Sequence, residues 1–427
     1  MKITDIICGL LVPTIAFAGP RPRATSGDDR EEPAWSEKLT LRVGPADGEV
    51  RGDSDKAIQA AVDYVARLGG GTVEILPGTY KFRNSVFLAP RVRLKGHGNQ
   101  TVLVKEASVR ATLAEDSDWY DQEITLKNAD GFRTGDGICL RATSARDAIK
   151  RTLVARDGQR FKLDRALRDN IWLDAKKEAT AETLFPILSG ENVEDIVIEN
   201  LTLDGDREHN ALLDGNYAGC VWLQDCRRIT MRNLEARNYH GDGLSWQICH
   251  DVLVENCHSH GHSGLGLHPG SGSQRSIIRG CRLEHNDIGI FFCWGVRGGV
   301  AYDNTITGNR VGISIGHRDT DNIVRNNTIS GSGYTGLLFR NEKDAGAAGH
   351  RNVIENNTLT DNGGEDGAAI KFEAPVRGVV LAGNTLRETR SPARRTGIAI
   401  GPGVQELKLD GNTIEGFAET ATRQSGN

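Results

Sequence analysis

Aromatic residues make up only 6% of this 427-residue chain, and apolar residues of every kind only 38%. A compact globule of that length normally carries more of both, so one large hydrophobic core is disfavoured. Beyond the first 18 residues no run is apolar enough to cross a bilayer. A surplus of one charge is lacking too. The 52 basic residues face 57 acidic ones, for a net charge of −5, and there is no basic tail; this excludes a general nucleic-acid coat. The eight cysteines have neither the spacing of a disulfide scaffold nor that of a zinc site. Glycine is what the chain has in quantity. Its 51 glycines are scattered rather than gathered in linkers, as expected of a solenoid that needs a tight turn in every coil.

The N-terminus reads MKITDIICGLLVPTIAFAGP, with Lys2 before an apolar run from Ile6 to Phe17 and a small-x-small site at Ala16-Phe17-Ala18. Residues 1–18 are therefore expected to be a signal peptide, and the protein to be secreted or periplasmic. Cys8 lies inside the apolar run, so no lipid-anchor motif forms. Residues 19–45 read as a flexible leader, and residues 46–105 as an N-terminal cap with the first coils. In the cap, Asp53 or Ser54 starts a helix whose apolar face is Ala57, Ile58, Ala61, Val62, Val65 and Leu68. Gly69-Gly70-Gly71 ends it, Thr72 to Leu76 alternates as a strand, and Pro77-Gly78 turns the chain. Residues 106–185 do not repeat and read as a β-rich insertion, with hairpins around Phe132–Leu140 and Thr152–Leu163.

Residues 186–427 are dominated by a repeat. Its clearest lines are Asn304-Thr-Ile, Asn327-Thr-Ile, Asn357-Thr-Leu, Asn384-Thr-Leu and Asn412-Thr-Ile, at spacings of 23, 30, 27 and 28 residues. The periodicity inside each repeat is two, which predicts coils of a parallel β-helix. The asparagine column is expected to continue back through Asn256, Asn233 and Asn200, broken only at Gly280, with the amides bonded from coil to coil. The next column would then run Leu201, Leu234, Cys257, Cys281 and the threonines from Thr305. Cys257 and Cys281 read as small buried hydrophobes rather than as a disulfide.

Asp53-Ser-Asp-Lys-Ala-Ile-Gln-Ala-Ala61, Gly69-Gly-Gly-Thr-Val73 and Leu76-Pro-Gly-Thr-Tyr80 together resemble the N-terminal cap of pectate-lyase-like β-helix proteins, which include polygalacturonases, alginate epimerases and phage tailspikes. The resemblance implies an all-β, single-stranded, right-handed parallel β-helix with an N-terminal capping helix, here carrying the β-rich insertion. It implies no one reaction, because lyases, hydrolases, epimerases and adhesins share that cap. The reaction motifs themselves do not carry over. Asp242 stands between Gly241 and Gly243 and so lacks the acidic neighbour of polygalacturonases. His268-Pro269 differs in order from the Asp-Pro-His signature of alginate epimerases. No acidic calcium cluster of the pectate-lyase kind is present on one coil. No cofactor is called for; calcium is left open only at Asp319 and Asp321.

One strand per coil aligns on a Gly-apolar-x-apolar pattern. Alternation sends Leu244, Trp246, Leu265, Leu267, Ile313 and Ile315 inward. One outward row then reads Trp222, Ser245, Gly266, Phe291, Ser314, Leu338, Lys371, and the next reads Gln224, Gln247, His268, Cys293, Gly316, Arg340, Glu373. His240, Asp242 and His262 stand before these strands; Trp294, His317, Arg318 and Glu342 stand after them. Leu267 to Ser273 reads as a strand end followed by a loop. Histidine, aromatic, arginine and carboxylate groups thus gather on one face. The candidate catalytic residues are His268, His317, Arg340, Glu342, Glu373, Asp242 and Lys371: imidazoles to move protons, cations to neutralise a carboxylate, carboxylates for acid–base work. The candidate substrate-binding residues are Trp222, Gln224, Gln247, Phe291, Trp294, Arg318 and His240. The run His258-Ser-His260-Gly-His262 is of a metal-binding kind, but Gly261 is expected to set it in a turn, and no metal is assigned. The expected partner is a polysaccharide. Three functions fit such a face: a lyase or C5-epimerase on a uronate-containing glycan, an inverting hydrolase with paired carboxylates, or a non-catalytic carbohydrate-binding protein.

Overall fold

A computed structural model describes residues 32–142, 148–173, 178–342, 344–391 and 394–423. The expected signal peptide and the first part of the leader lie outside them. Among the described residues no helix is long and apolar enough to cross a membrane.

The strand Thr40–Gly44, inside the segment expected as leader, pairs with Gly71–Ile75 and so belongs to the solenoid; one 13-residue helix, Asp55–Arg67, follows it. Alone, a helix that short is marginal in water. Its stability comes from the buried face of Ile58, Ala61, Val62 and Val65, which closes the apolar end of the solenoid. The helix also holds the next turn, where the Asp55 carboxylate accepts the Arg83 backbone N–H at 3.0 Å. Leu68, expected on the buried face, is exposed: it caps the helix C-terminus, where the chain has already left the helical path.

Past the helix the chain winds as a right-handed parallel β-helix. Each coil contributes one strand to an 11-stranded sheet and, from the outset of the regular coils, two short strands to a larger parallel sheet. One coil shows the pattern. Leu265–Gly270 belongs to the 11-stranded sheet, and Ile277–Arg279 and Arg282–Glu284 follow on the other two faces. The sharp corner between the last two is a left-handed residue in every coil, with φ of 53° at Asn256, 62° at Gly280, 56° at Asp303 and 55° at Asn326. Asparagine, aspartate and glycine tolerate that conformation, β-branched residues do not.

The corner corrects the predicted asparagine column. Asn200, Asn233 and Asn256 hold the left-handed position and do not continue the ladder. Gly280 is therefore no break, being one more residue of the corner. The ladder itself stands one residue later. Asn327 is buried; its Oδ1 accepts from the Asn304 N–H at 3.0 Å and the Asn304 Nδ2 at 2.8 Å, while its own N–H and Nδ2 both reach Asn357 Oδ1 at 2.9 Å. Asn357, Asn384 and Asn412 continue in the same way. Toward the N-terminus the column passes from Asn304 to Cys281, whose N–H bonds Asn304 Oδ1 at 2.9 Å, and then to Cys257. The thiols of Cys257 and Cys281 are free and buried, as are those of Cys226 and Cys249.

Between Arg110 and Glu182 the chain leaves the solenoid and forms a six-stranded antiparallel sheet with its own core, which includes Ile124, Phe132, Leu140 and Phe161. The strands Gly137–Ala142, Ile149–Asp157 and Arg160–Leu163 pair as consecutive hairpins. This sheet reaches back to the 11-stranded face through Lys150, whose Nζ donates to Tyr217 O at 2.6 Å and lies 3.0 Å from the centroid of the Trp222 ring. A cavity of about 440 Å³, lined by Lys150, Arg151, Ser189 and Glu191 among others, separates the insertion from the first coils.

Candidate functional site

The 11-stranded sheet positions the site, and its register differs from the predicted one by two residues at one strand. Leu244 pairs with Leu267, and Ser245 with His268. Leu267 pairs in turn with Ile290. His268 therefore belongs to the row of Trp222, Ser245 and Phe291, in the place predicted for Gly266, and Gly270 takes the place predicted for His268 beside Gln247 and Cys293. The cause is that Leu265–Gly270 is one continuous strand; His268-Pro269-Gly270 is part of it and not a loop. Gly270 is needed there because a Cβ at that position would come within 2.1 Å of the Gln247 side chain.

The corrected row brings Asp242 and His268 together. His268 Nδ1 lies 2.8 Å from Asp242 Oδ2, and Asp242 Oδ1 accepts the Leu265 N–H at 2.9 Å. Both side chains are 4% exposed. A carboxylate on Nδ1 fixes the tautomer and leaves the Nε2 lone pair to act. His268 Nε2 is shielded from solvent and has no hydrogen-bond partner, and the same holds for Gln247 Oε1. Ser245 Oγ donates to Gly215 O at 2.6 Å and accepts from Gln247 Nε2 at 3.0 Å. Gly215 lies directly on the pair: a Cβ there would meet the Asp242 carboxylate at 1.6 Å.

Phe291 stands beside His268, its ring centroid 5.3 Å from the imidazole. Arg340 lies over the same ring at 4.2 Å and is held by Ser314 Oγ at 2.9 Å, Phe292 O at 2.8 Å and Asp319 Oδ2 at 3.1 Å. Asp319 is fully buried; burial pushes its carboxyl up, against the pull of Arg340 and the backbone N–H groups of Val296 and Gly316. Asp319 is thus committed inward, while Asp321 pairs with Arg351 at 2.6 Å. The two do not share an ion site, which corrects the calcium expectation.

Farther along the face, the exposed Trp294 ring lies 5.0 Å from His317, whose Nδ1 is 3.3 Å from Glu342 Oε2. Lys371, Tyr334 and Glu373 form a third group, with Lys371 Nζ 2.8 Å from Glu373 Oε1 and the Tyr334 hydroxyl bonded to both. Burial alone would raise the Glu373 carboxyl; the bonds from Lys371 and Tyr334 outweigh it and hold the group below its usual range. Tyr334 was not predicted. It sits one residue before the strand Thr335–Phe339, and an aromatic at that edge position is the sequence sign of it.

Other predicted residues stand apart. Trp222 is buried beneath Lys150 and is no open platform; its Nε1 donates to Asn216 O at 3.0 Å. Gln247 is buried as well. His240 is tied to Asn210 O at 2.8 Å, and Gln224 to its neighbour Asp225 at 3.2 Å. Arg318 is exposed at a left-handed corner. The predicted turn does stand at Gly261, with φ of 69°, but it follows the strand His258–His260, whose two imidazoles point outward. His262 turns into the core.

His262 carries its own prediction. Its Nδ1 accepts the Tyr239 N–H at 3.0 Å and its Nε2 faces Ala236 O at 3.1 Å, so a second proton has no acceptor to meet. Burial, reinforced by His260, drives its pKa from 6.5 down to about 3. Below pH 6.5 the unfolded chain takes up a proton that the folded chain refuses, so stability falls with pH until about pH 3. The slope from this one group is about 1.4 kcal/mol per pH unit. Denaturant titrations of the wild type and His262→Gln across that window are expected to differ by this slope.

Residues 219–414 match the family described as right handed beta helix region. No curated protein matches the chain. Among solved structures, the A-module of the Azotobacter vinelandii mannuronan C-5 epimerase AlgE4 superposes with a TM-score of 0.57 at 14% identity, over 90% of this chain and 100% of that one. PfbA, a surface adhesin of Streptococcus pneumoniae, gives 0.56 at 14% identity over 90% and 93%. The Dettilon tailspike protein gives 0.55 at 12% identity over 90% and 62%. At such identities the likeness is one of fold, and it agrees with the coil-by-coil register: this chain has the right-handed parallel β-helix fold.

Proposed function

We propose that this protein acts on an acidic, uronate-containing polysaccharide by abstracting the proton next to the sugar carboxylate, as a lyase or a C5-epimerase. The observation that carries the reading is the buried Asp242–His268 pair with an unpartnered Nε2 on the outward row of the 11-stranded sheet. Buried polar atoms are nearly always bonded, and an orphan nitrogen on an oriented imidazole is what a general base requires. Phe291 offers a flat apolar contact beside it, and Arg340 supplies a positive charge for the substrate carboxylate across that ring. In the lyase course, the C5 proton passes to His268 Nε2, the electron pair forms the C4–C5 double bond, the C4–O bond breaks, and the departing sugar oxygen takes a proton from water. In the epimerase course a proton returns to C5 from the opposite face. Because Nε2 is shielded, this reading requires that bound substrate displace the chain around the pair, where Gly215 lies against the Asp242 carboxylate and accepts from Ser245 Oγ. Proteins of the same fold include a mannuronan C-5 epimerase and a surface adhesin, so fold alone leaves both catalysis and binding open.

The hydrolase reading has less support. It needs one accessible carboxyl with a raised pKa as the acid; Glu373 is held low by Lys371 and Tyr334, and Asp319, which burial raises, is fully buried and bonded to Arg340. The test is incubation with a panel of uronate and neutral glycans. Ultraviolet absorbance of an unsaturated uronate marks the lyase, and solvent deuterium entering C5 marks the epimerase. Reducing ends without either overturn the proposal in favour of hydrolysis, and retention without any reaction overturns it in favour of binding.

A further inference from the structure

Away from the 11-stranded sheet, on the third face of the solenoid, His258 and His260 lie two apart on one strand with their rings stacked, centroids 4.0 Å apart at an angle of 19°. Their coil is flanked by Glu235 on the preceding coil and Glu284 on the following one, in register with His258 and His260 respectively. The contacts run diagonally: His258 Nε2 is 2.9 Å from Glu284 Oε2, and His260 Nε2 is 3.1 Å from Glu235 Oε1. One donor atom from each of Glu235, His258 and His260 falls within 4.8 Å of the others, and among the described residues this is the one such group.

We propose that Glu235, His258 and His260 bind a divalent transition ion of the zinc and copper class, with Glu284 as a fourth ligand. Imidazole and carboxylate together select such ions over calcium, which takes oxygen ligands only. The stack brings the two Nε2 atoms together, each against a carboxylate. A metal ion resolves that arrangement by taking the place of the protons now shared between each Nε2 and its carboxylate. Ligands about 2 Å from a tetrahedral ion lie about 3.4 Å from one another, so the side chains need to close by about 1 Å. The carboxylates are already oriented from outside: Arg282 holds Glu284 at 2.8 Å, and Arg237 and Thr202 hold Glu235 at 3.3 and 3.1 Å.

The experiment uses the full chain, stripped with a chelator and titrated with zinc chloride by calorimetry. One ion per chain is expected. The double variant His258→Ala/His260→Ala is expected to lose affinity by about 100-fold or more, Glu235→Gln by about 10-fold, and His350→Ala, which lies outside the cluster, not at all. With one equivalent of copper(II), electron paramagnetic resonance is expected to show coupling to two imidazole nitrogens. Should the double variant not fold, His260→Gln with the copper spectrum decides: coupling falls to one nitrogen. No retained zinc, retention equal in wild type and double variant, or a wild-type copper spectrum without two nitrogens each overturns the site.

Discussion

Replacing His268 by alanine is expected to lower turnover of a uronate glycan by about 10²–10⁴-fold, the usual contribution of a positioned proton-transfer group. The variant also strips a buried carboxylate of its partner, since Asp242 Oδ2 keeps only a site 2.8 Å away that is no longer filled. Breaking one side of a buried pair costs about 3–5 kcal/mol, so lost activity in His268→Ala alone does not separate chemistry from folding. The double variant Asp242→Asn/His268→Gln does. It removes the carboxylate and the imidazole together and keeps side chains that can bond each other, so the fold should survive while the proton acceptor is gone. Activity retained in the double variant sinks the assignment of His268. Asp242→Asn alone tests the positioning role: with an amide on Nδ1 the tautomer is no longer fixed, and the pH–rate profile should change shape as well as height.

The second large effect is structural. Asn327→Ala is expected to cost about 3–6 kcal/mol, because it removes one acceptor and one donor and leaves several buried partners unmet at about 1–3 kcal/mol each. The Asn304 N–H and one Nδ2 hydrogen lose their acceptor and the Ala301 carbonyl loses a donor, while Asn304 Nδ2 keeps Ile278 O and Asn357 Oδ1 keeps the residue-327 backbone N–H. Asn412→Ala should cost much less. Asn412 is half-buried, and in the ladder it serves Asn384 on one side only. Urea unfolding of the two variants measures the gradient. Equal losses would mean that the column does not act as a connected ladder.

The fold was legible because it is written with period two inside each coil and in asparagine between coils. The capping helix could be read from its apolar face for the same reason, with Leu68 missed only because the helix ends one residue short of it. The site was less legible. Its register rests on where one strand ends, and proline followed by glycine at 269 and 270 mimics a loop while in fact continuing the sheet. Pattern matching on Gly-apolar-x-apolar therefore slid His268 by two positions. Trp222 was misread for a different reason. Alternation correctly sends it out of the core, but nothing local shows that Lys150, on a separate sheet, covers it. The grouping of His258 with His260 was visible, and only the assumption that the turn at Gly261 took in the whole run hid it.

The change from cysteine to asparagine along one column divides the solenoid by how neighbouring coils are joined there. At Cys257 and Cys281 the side chains offer only weak thiol bonds to backbone carbonyls, whereas from Asn304 onward each amide bonds the next. One apolar core runs beneath both stretches. A defect in the column should accordingly stay local before Asn304 and pass from coil to coil after it, so that one continuous winding transmits damage along only part of its length.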